Sequence, residues 1–447
     1  MRWSDLDGRR LAIWGTGREG IAAARVAFGR GIEPVLVDDD PVAGGARASA
    51  LLGPAVGVVP PDDPSVRRAE VIIRSPGVSR YRPELAAARE RGVVVTTAMA
   101  LWLDEHRDRP VLAVTGTKGK STTAAMAAAI LEAAGVPVAL AGNIGRPVTE
   151  VSPTDPAEVF VVEVSSYQAA EVTTSPRVTV LTSLAPDHLD WHGGVEAYYR
   201  DKLALIATPP FGALAVNGES TVALDRTAGH PDRTVFGPGG RVRVEDGQVV
   251  VDGTALASVS GLRVPGAHNV TNLLGAVTGV LLVTGNAPPG AAVSRVVREF
   301  RGLPSRCEHV VTVDGVEFVD DALASNPFAT ATSVLAYPGR PLTVILGGSD
   351  RGVDLGELAG VMARLRPPPR LVVMPPDGDR FDVLGGGSSP LPVRVDDLEA
   401  AVAGAFEVTP AGGVVLFSPA APTPPGQGGY QERSRRYRAA IAGLAGR

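Results

Sequence analysis

One stretch decides the fold: residues 111–122 read Val-Leu-Ala-Val-Thr-Gly-Thr-Lys-Gly-Lys-Ser-Thr, and an alanine-rich segment, 124–134, follows. The apolar run predicts a strand and the alanine-rich segment a helix, with the glycines in the turn between them. Such a turn directs backbone N–H groups toward a phosphate, while Lys120 can reach the terminal phosphates and Ser121 offers a hydroxyl to Mg²⁺. The pattern is therefore typical of a nucleotide-binding loop, although Val114 stands where the standard motif has its first glycine.

Length and charge set limits on the architecture and on the ligands. A chain of 447 residues is long for one core and suggests two or three domains. Lys and Arg number 43 against 48 Asp and Glu, a formal net charge of -5, and no basic run forms the stripe that nucleic-acid binding requires. We therefore expect small-molecule ligands and no nucleic-acid partner.

Cysteine content and hydropathy point to a cytoplasmic protein. With one cysteine, Cys307, no intramolecular disulfide can form. The N-terminus leads into no apolar signal core, and no stretch approaches the roughly 20 uncharged apolar residues that cross a bilayer. We expect a cytoplasmic monomer without a membrane partner.

Strand-like apolar runs alternate with alanine-rich helical segments through most of the chain, for example at 159–162 and 178–181. This alternation predicts an α/β fold with parallel sheets. Interruptions of the pattern divide the chain into predicted domains 1–109, 110–300 and 301–447. Short strands and turns between 208 and 262 predict a β-rich insert in the second domain.

A second glycine turn lies near the N-terminus, where residues 11–20 read Leu-Ala-Ile-Trp-Gly-Thr-Gly-Arg-Glu-Gly. It resembles a Rossmann fingerprint, in which the turn faces a pyrophosphate and Asp38 or Asp39 lies near a ribose. Residues 75–78, Ser-Pro-Gly-Val, form another glycine loop at a predicted strand end. A glycine motif of this kind is a weak signal, and a purely structural turn is the alternative.

Groups suited to a divalent metal follow the phosphate loop. Glu163 ends the apolar run 159–162 and places a carboxylate at the carboxyl end of a strand, beside Ser121. Residues 185–192 then contain two acids and two histidines, and Lys202 lies ten residues further on. Taken alone, these histidines could belong to an ordinary surface loop and Lys202 could be a solvated helix charge.

A series of motifs in one order resembles the Mur ligases of bacterial cell-wall synthesis, and within them the enzymes that add glutamate to UDP-N-acetylmuramoyl-L-alanine. The resemblance covers nearly all 447 residues. In chain order the motifs read GTKGKST at 116–122, GNIG at 142–145, EVSSYQ at 163–168, DHLD at 187–190, YYRDK at 198–202, GAHNVTN at 266–272, LPSRCE at 303–308, DD at 320–321 and SPA at 418–420.

The resemblance implies a three-domain architecture: a Rossmann-like N-terminal domain for the UDP-sugar, a central P-loop ATPase domain and a Rossmann-like C-terminal domain for the amino acid. It also implies ATP-dependent amide ligation through an acyl phosphate, in peptidoglycan synthesis, with two Mg²⁺ ions. Water must be excluded while the acyl phosphate exists, so we predict a hinge between the second and third domains at 300–303.

The matched residues take their roles from the same resemblance. The catalytic residues are Lys120, His188 and Lys202, and Lys202 matches the family's carbamylated lysine. ATP contacts are expected from Gly116, Thr117, Lys118, Gly119, Lys120, Ser121, Thr122, Asn272, Arg306 and Asp321. The metal ligands are Ser121, Glu163, His188 and Lys202, and the UDP-sugar contacts are Gly15, Thr16, Gly17, Asp38, Ser75, Gly77 and Asn143.

Departures from the family gather where the amino acid should bind. Enzymes that add D-glutamate carry Asp-Ser-Lys-Ala-Thr-Asn, whereas residues 321–326 read Asp-Ala-Leu-Ala-Ser-Asn. The expected glutamate contacts become Ser325, Arg351, Thr423 and Tyr430, and Arg351 still offers a carboxylate partner. Because inverting the α-carbon exchanges amine and carboxylate, a remodelled site favours L-glutamate, and D-glutamate with neutral divergence is the alternative.

Other classes of protein remain open from the residues. A folylpolyglutamate-type ligase shares the phosphate loop but does not need the N-terminal glycine turn. A P-loop ATPase regulator would hydrolyse ATP without an amino acid. A non-catalytic nucleotide-binding protein is disfavoured because Lys120, Glu163, His188 and Lys202 are all present.

Overall fold

The computed structural model describes residues 1–152, 154–349, 352–385, 391–424 and 426–444. These residues form three sheets with helices packed around them, and the predicted α/β fold class is confirmed. Buried aliphatic clusters fill the space between each sheet and its helices.

The first sheet has five parallel strands in the order β3-β2-β1-β4-β5. Parallel strands covered on both faces read as continuous apolar runs, and β1 and β4 are buried throughout. The order reverses between β1 and β4, and ligands of open α/β sheets bind at such a point. Its strands are β1 Leu11–Trp14, β2 Val35–Val37, β3 Val58–Val59, β4 Val71–Arg74 and β5 Val94–Thr96, and its helices are α1 Arg18–Gly29, α2 Pro41–Leu52, α3 Pro64–Arg67, α4 Pro83–Glu90 and α5 Ala98–Glu105.

The second sheet has nine strands in the order β14-β13-β12-β11-β10-β9-β6-β8-β7. Strand β6 lies between β9 and β8, both parallel to it, so the loops that follow these three strands meet at one edge. Its strands are β6 Val111–Thr115, β7 Val138–Gly142, β8 Val159–Glu163, β9 Val178–Leu181, β10 Ala213–Asn217, β11 Arg233–Phe236, β12 Val242–Glu245, β13 Gln248–Val251 and β14 Thr254–Ser258. The helices of this region are α6 Lys120–Ala133, α7 Ser166–Ala169, α8 Leu189–His192, α9 Val195–Leu203, α10 Thr221–Arg226, α11 Ala267–Thr284 and α12 Gly290–Glu299.

The β-rich insert predicted at 208–262 contains the expected strands, but these strands belong to the second sheet. Strands β10 and β11 continue the parallel sheet, and β12 to β14 extend it as an antiparallel ribbon. The sequence pattern missed this because pairing partners of short strands are set by tertiary contacts.

The third sheet has six strands in the order β15-β16-β20-β17-β18-β19, parallel except for the β15–β16 pair. Its strands are β15 Glu308–Val313, β16 Val316–Asp320, β17 Leu342–Gly347, β18 Arg370–Met374, β19 Val393–Arg394 and β20 Val414–Phe417, and its helices are α13 Pro327–Val334, α14 Gly356–Arg364, α15 Leu398–Val408 and α16 Tyr430–Leu444. Short 3₁₀ helices occur at Trp3–Leu6, Val148–Glu150, Ala204–Ile206 and Gly378–Leu384.

The chain divides into two compact units. One comprises Met1–Gly261 and Val270–Val297, with the first two sheets, and the other comprises Leu262–Asn269 and Arg298–Arg447, with the third sheet. The domain limits 1–109, 110–300 and 301–447 and the hinge at 300–303 stay predictions.

One helix meets the length and composition of a membrane span, contrary to the expectation that no stretch would. It is α11, of 18 residues, and 67% of that window is buried inside the protein. A core helix of high apolar content passes the same criterion, so this finding is weak support for membrane insertion.

Candidate active site

The phosphate loop joins β6 to α6, as the sequence predicts. Gly116 has φ +147° and Gly119 has φ +83°, a backbone region that favours glycine. A Cβ on Gly116 would lie 2.1 Å from Thr182 Oγ1, and one on Gly119 would lie 2.4 Å from Asn272 Oδ1. The loop is therefore closely packed, and it places Asn272 directly against Gly119.

Side chains from the neighbouring β9 loop and from α9 hold the phosphate loop in shape. Thr182 Oγ1 donates to the carbonyl oxygen of Lys118 at 2.6 Å, and Lys118 N donates to Ser183 Oγ at 2.9 Å. Thr117 Oγ1 lies 2.8 Å from the hydroxyl of Tyr198. Thr182 and Ser183 were not predicted as parts of the site, because single hydroxyls carry no motif of their own. Tyr198 opens the YYRDK motif, but its contact with the loop was not predicted.

Two lysines from distant parts of the chain converge on this loop. Lys120 Nζ donates to the carbonyl oxygen of Thr117 at 3.1 Å, and Lys202 Nζ donates to that of Gly116 at 2.8 Å. Lys202 is 2% exposed. Burial, followed by the charge of Lys120, holds the pKa of Lys202 well below its ordinary value, against the opposing effect of Asp187 and Glu163.

Glu163 ends β8 beside the loop and is 1% exposed. Its Oε1 accepts a hydrogen bond from Asn143 Nδ2 at 2.8 Å, whereas its Oε2 is buried without a hydrogen-bond partner. A buried, unsatisfied carboxylate oxygen is costly unless a cation or donor reaches it. Ser121, at the start of α6, is also buried, so this oxygen and a hydroxyl fit Mg²⁺, which prefers oxygen ligands.

The segment after β9 brings Asp187 and His188 toward the same edge. Asp187 lies 3.9 Å from Lys118, and His188 adopts a left-handed conformation, φ +51°. Burial lowers the pKa of His188, and so do Lys120 and Lys202, while Asp187 raises it. Asp187 was quoted in a motif but not predicted as a site residue, and its contact with Lys118 is set by the fold.

Among the residues that the structure describes, no three His, Cys, Asp or Glu side chains cluster as a metal site. Protein ligands at this edge are thus few, and Mg²⁺ in phosphoryl-transfer enzymes characteristically keeps waters and substrate phosphates as its other ligands. The loop, the lysines and Glu163 together have the chemistry that a nucleoside triphosphate with Mg²⁺ requires of its site.

A cavity of about 390 Å³ lies at the β1–β4 switch point, and we call it the nucleotide-sugar cavity after the residues predicted there. Five of the predicted UDP-sugar residues line it, namely Gly15, Gly17, Asp38, Ser75 and Gly77, together with Trp14, Arg18, Glu19, Asp39, Pro76 and Val78. Thr16 is not among the lining residues, and its hydroxyl and backbone N–H donate to Asp38 Oδ2 at 2.5 and 2.9 Å. Arg47 also donates to that oxygen at 3.0 Å, so these bonds within the protein hold Asp38 in place.

The remaining predicted residues lie in the second unit. Asp321 is 5% exposed, and its Oδ2 accepts from Ser333 and Ser418, each at 2.6 Å. Burial raises the pKa of Asp321 to about 6. Arg306, Ser325 and Tyr430 are exposed, Thr423 is half-buried, and Arg351 lies outside the described residues.

Comparison with known proteins shows which family this chain resembles. The Mur ligase middle domain matches residues 114–280. A UDP-N-acetylmuramoyl-L-alanine--L-glutamate ligase from a Micromonospora species is 39% identical over 100% of this chain and 99% of its own. Ligases of the same description from Salinispora tropica, at 39% over 100% of both chains, and from Xanthomonas axonopodis pv. citri, at 34% over 99% of this chain and 97% of its own, are also similar.

Solved structures agree at the level of fold. UDP-N-acetylmuramate-alanine ligase from Thermotoga maritima matches with a TM-score of 0.61 at 20% identity, over 98% of this chain and 100% of its own. A pseudomurein peptide ligase type C from Methanothermus fervidus matches with a TM-score of 0.56 at 16% identity, over 98% and 100%.

The fold and the phosphate-binding edge define an ATP-dependent enzyme that forms amide bonds. The chain belongs to the Mur ligase family, as its full-length relatives at 39% identity establish. Family membership, the ligase class and a place in peptidoglycan synthesis were predicted from the sequence and are confirmed.

Proposed function

We propose that this enzyme ligates L-glutamate to UDP-N-acetylmuramoyl-L-alanine, with conversion of ATP to ADP and phosphate. The observation that carries the proposal is the convergence of Lys120, Lys202 and Glu163 on one glycine loop. The full-length relatives with L-glutamate in their names support the choice of L-glutamate over D-glutamate.

The reaction has two steps whose atoms balance. A carboxylate oxygen of the alanyl group attacks the γ-phosphorus of ATP, and the bond to the bridging oxygen breaks to release ADP. The amine nitrogen of glutamate then attacks the acyl carbon, phosphate leaves with its electron pair, and the amine loses a proton. Both steps gather negative charge on phosphate oxygens, which fixed cations stabilise.

For ATP, the proposed binding residues act through position and charge. Lys120 stabilises the charge that moves between the β- and γ-phosphates, and the N–H groups of residues 116–122, which include Lys118 and Thr122, surround the phosphates. Asn272, which lies against Gly119, contacts adenine. The ATP contacts predicted for Arg306 and Asp321 stay part of this proposal.

For the metal, Ser121 and the unsatisfied Oε2 of Glu163 hold one Mg²⁺, and His188 with Lys202 holds a second. Bound Mg²⁺ supplies positive charge to the phosphates during transfer. A lysine suits this role only after reaction with carbon dioxide, which adds to the neutral amine and, with loss of a proton, leaves a carbamate. The burial of Lys202 favours the neutral amine that this reaction needs.

For the other substrates, the 390 Å³ cavity takes the uridine diphosphate end, and Asn143, bonded to Glu163, contacts the muramoyl side. Glutamate binds at Ser325, Arg351, Thr423 and Tyr430. We further propose that the enzyme works as a cytoplasmic monomer on small molecules, without nucleic-acid or membrane partners.

The first experiment measures phosphate release and product mass with Mg-ATP and UDP-N-acetylmuramoyl-L-alanine, with L-glutamate and D-glutamate in parallel reactions. We expect turnover with L-glutamate and a product heavier by one glutamyl residue. Turnover with D-glutamate alone would overturn the stereochemical proposal. Phosphate release that needs no amino acid would instead support an ATPase regulator.

A further inference from the structure

A buried polar cluster lies between helix α9 and the loop that joins β4 to α4. Its centre is the carboxylate of Asp201, whose side chain is fully buried. The carboxylate accepts hydrogen bonds from Arg80 Nη1 at 3.0 Å and from the Tyr81 hydroxyl at 2.9 Å, and it lies 2.7 Å from His192 Nδ1. Three donors thus surround one carboxylate, which is how a buried charge becomes stable.

One side of this cluster is continuous with the nucleotide-sugar cavity. Arg80 and Tyr81 follow Ser75–Val78, which line that cavity, and Ser79 Oγ donates to the carbonyl oxygen of Trp191 at 2.8 Å. Arg80 also lies 3.3 Å from the carboxylate of Glu171. The loop that lines the cavity is therefore attached to α8, to α9 and to the segment after α7 through several polar contacts.

The other side of the cluster is continuous with the phosphate loop. Asp201 directly precedes Lys202 on α9, and Lys202 Nζ donates to the carbonyl oxygen of Gly116 at 2.8 Å. Successive helical residues project about 100° apart, so α9 directs these two side chains to two different partners. Any shift of α9 would move both contacts together.

We propose that Asp201 is a positioning residue, which fixes Lys202 at the phosphate loop and the 75–81 loop at the nucleotide-sugar cavity through one carboxylate. The proposal rests on the proposed function and adds a residue to it that touches neither substrate. Loss of the charge would leave the buried His192 without its anionic acceptor and would leave Arg80 with Glu171 as its remaining carboxylate partner, so the two loops would no longer share an anchor.

The test compares Asp201→Asn with Glu196→Gln by steady-state kinetics. Glu196 lies on the same helix and pairs with Arg226 at 2.5 Å, but its side chain is 71% exposed, so its loss should leave the constants unchanged within about twofold. For Asp201→Asn we expect kcat to fall about 10- to 100-fold, because displaced catalytic groups cost rates of this order. The KM for the UDP-sugar substrate should rise in the same variant, while the KM for ATP changes less than about twofold, since the phosphate loop keeps its hydroxyl contacts.

Two results would overturn the proposal. One is an Asp201→Asn enzyme in which either kcat or the KM for the UDP-sugar keeps its wild-type value. An unchanged KM with a lower kcat would indicate a purely structural role, because a loss of folded enzyme lowers the active fraction and leaves KM unchanged. The other is unchanged amide hydrogen exchange in residues 75–81 or 195–203 of folded Asp201→Asn. Hydrogen exchange can be measured without turnover. If the wild-type protein had no ligase activity, the proposed function would be wrong, but the exchange data would still test the role of Asp201.

Discussion

The two glycine turns of the first unit have the same strand–turn–helix backbone, but the side chains around them differ in charge. Each lies between a buried parallel strand and a helix, at Gly15–Gly20 and at Gly116–Gly119. The cavity at the first turn is lined by Glu19, Asp38 and Asp39 with Arg18 as its cation, whereas three lysines surround the second. The turn supplies N–H groups in both places, and the side chains around it decide which ligand is held.

The largest effect should come from removing the positive charge at the second turn. We expect Lys120→Ala to lower kcat about 100- to 1000-fold, because a fixed cation at the phosphates is lost. Stopped-flow or steady-state phosphate release measures it. Arg18→Ala at the first turn is the matched control and should change mainly the KM for the UDP-sugar substrate. Equal losses of kcat in both variants would contradict the contrast between the two turns.

Lys202→Ala should lower activity by about 100-fold, and short-chain carboxylates such as acetate or formate should restore part of it. We expect this rescue because a free carboxylate can take the place of the carbamate beside Gly116. Rates with and without added carboxylate measure the effect, with chloride at the same ionic strength as the control. Full activity without carboxylate would remove Lys202 from the mechanism.

A smaller effect, and one that separates the turns, should come from their glycines. Gly116→Ala should raise the KM for ATP and Gly15→Ala the KM for the UDP-sugar, because each side chain enters a positive-φ, crowded position that costs about 1–3 kcal/mol. Gly17→Ala is the control, since φ is negative there and a Cβ meets nothing within 4 Å. If both crowded variants raised the same KM, the two turns would not serve separate ligands.

The smallest effect concerns Asp321, a buried carboxylate that accepts hydrogen bonds from the hydroxyls of Ser333 and Ser418. Its pKa of about 6 in the folded protein exceeds the ordinary value of 3.8, so the native state binds the proton more tightly. Its stabilising contribution is full below pH 3.8 and is lost as the pH rises through about 6. Relative to Asp321→Asn, the wild type should gain about 1 kcal/mol in free energy of unfolding between pH 7 and pH 5. Denaturant titrations at both pH values measure it, and a constant difference would show that Asp321 keeps its charge.

Local pattern was enough for the parts of the site that follow one another in the chain. The phosphate loop, the strand before it, the helix after it and the glycine turn at Gly15 all lie where the sequence predicts them. The preference for L-glutamate, inferred from the changed residues near Ser325, agrees with the names of the full-length relatives. The roles of individual site residues stay predictions.

Contacts between distant segments could not be predicted. The hydrogen bonds that Asp38 accepts from Thr16 and Arg47 are an example, while its predicted place at a ribose stays a prediction. Asp201 lies in the YYRDK motif but was not predicted as a site residue, because its burial against Arg80 and Tyr81 depends on how the loop after β4 packs on α9. The strands of the supposed insert proved to be part of the second sheet.

The sequence by itself determined the α/β class, the two glycine turns and the family, because strand runs, glycine spacing and ordered motifs depend on neighbours along the chain. Only the tertiary structure decided that Lys202 reaches the carbonyl oxygen of Gly116, 86 positions earlier, and that Glu163 keeps an unsatisfied oxygen at the same edge. The physical reason is that parallel strands β6, β8 and β9 bring their carboxyl ends together, and charge and burial at that edge result from packing between segments far apart in sequence.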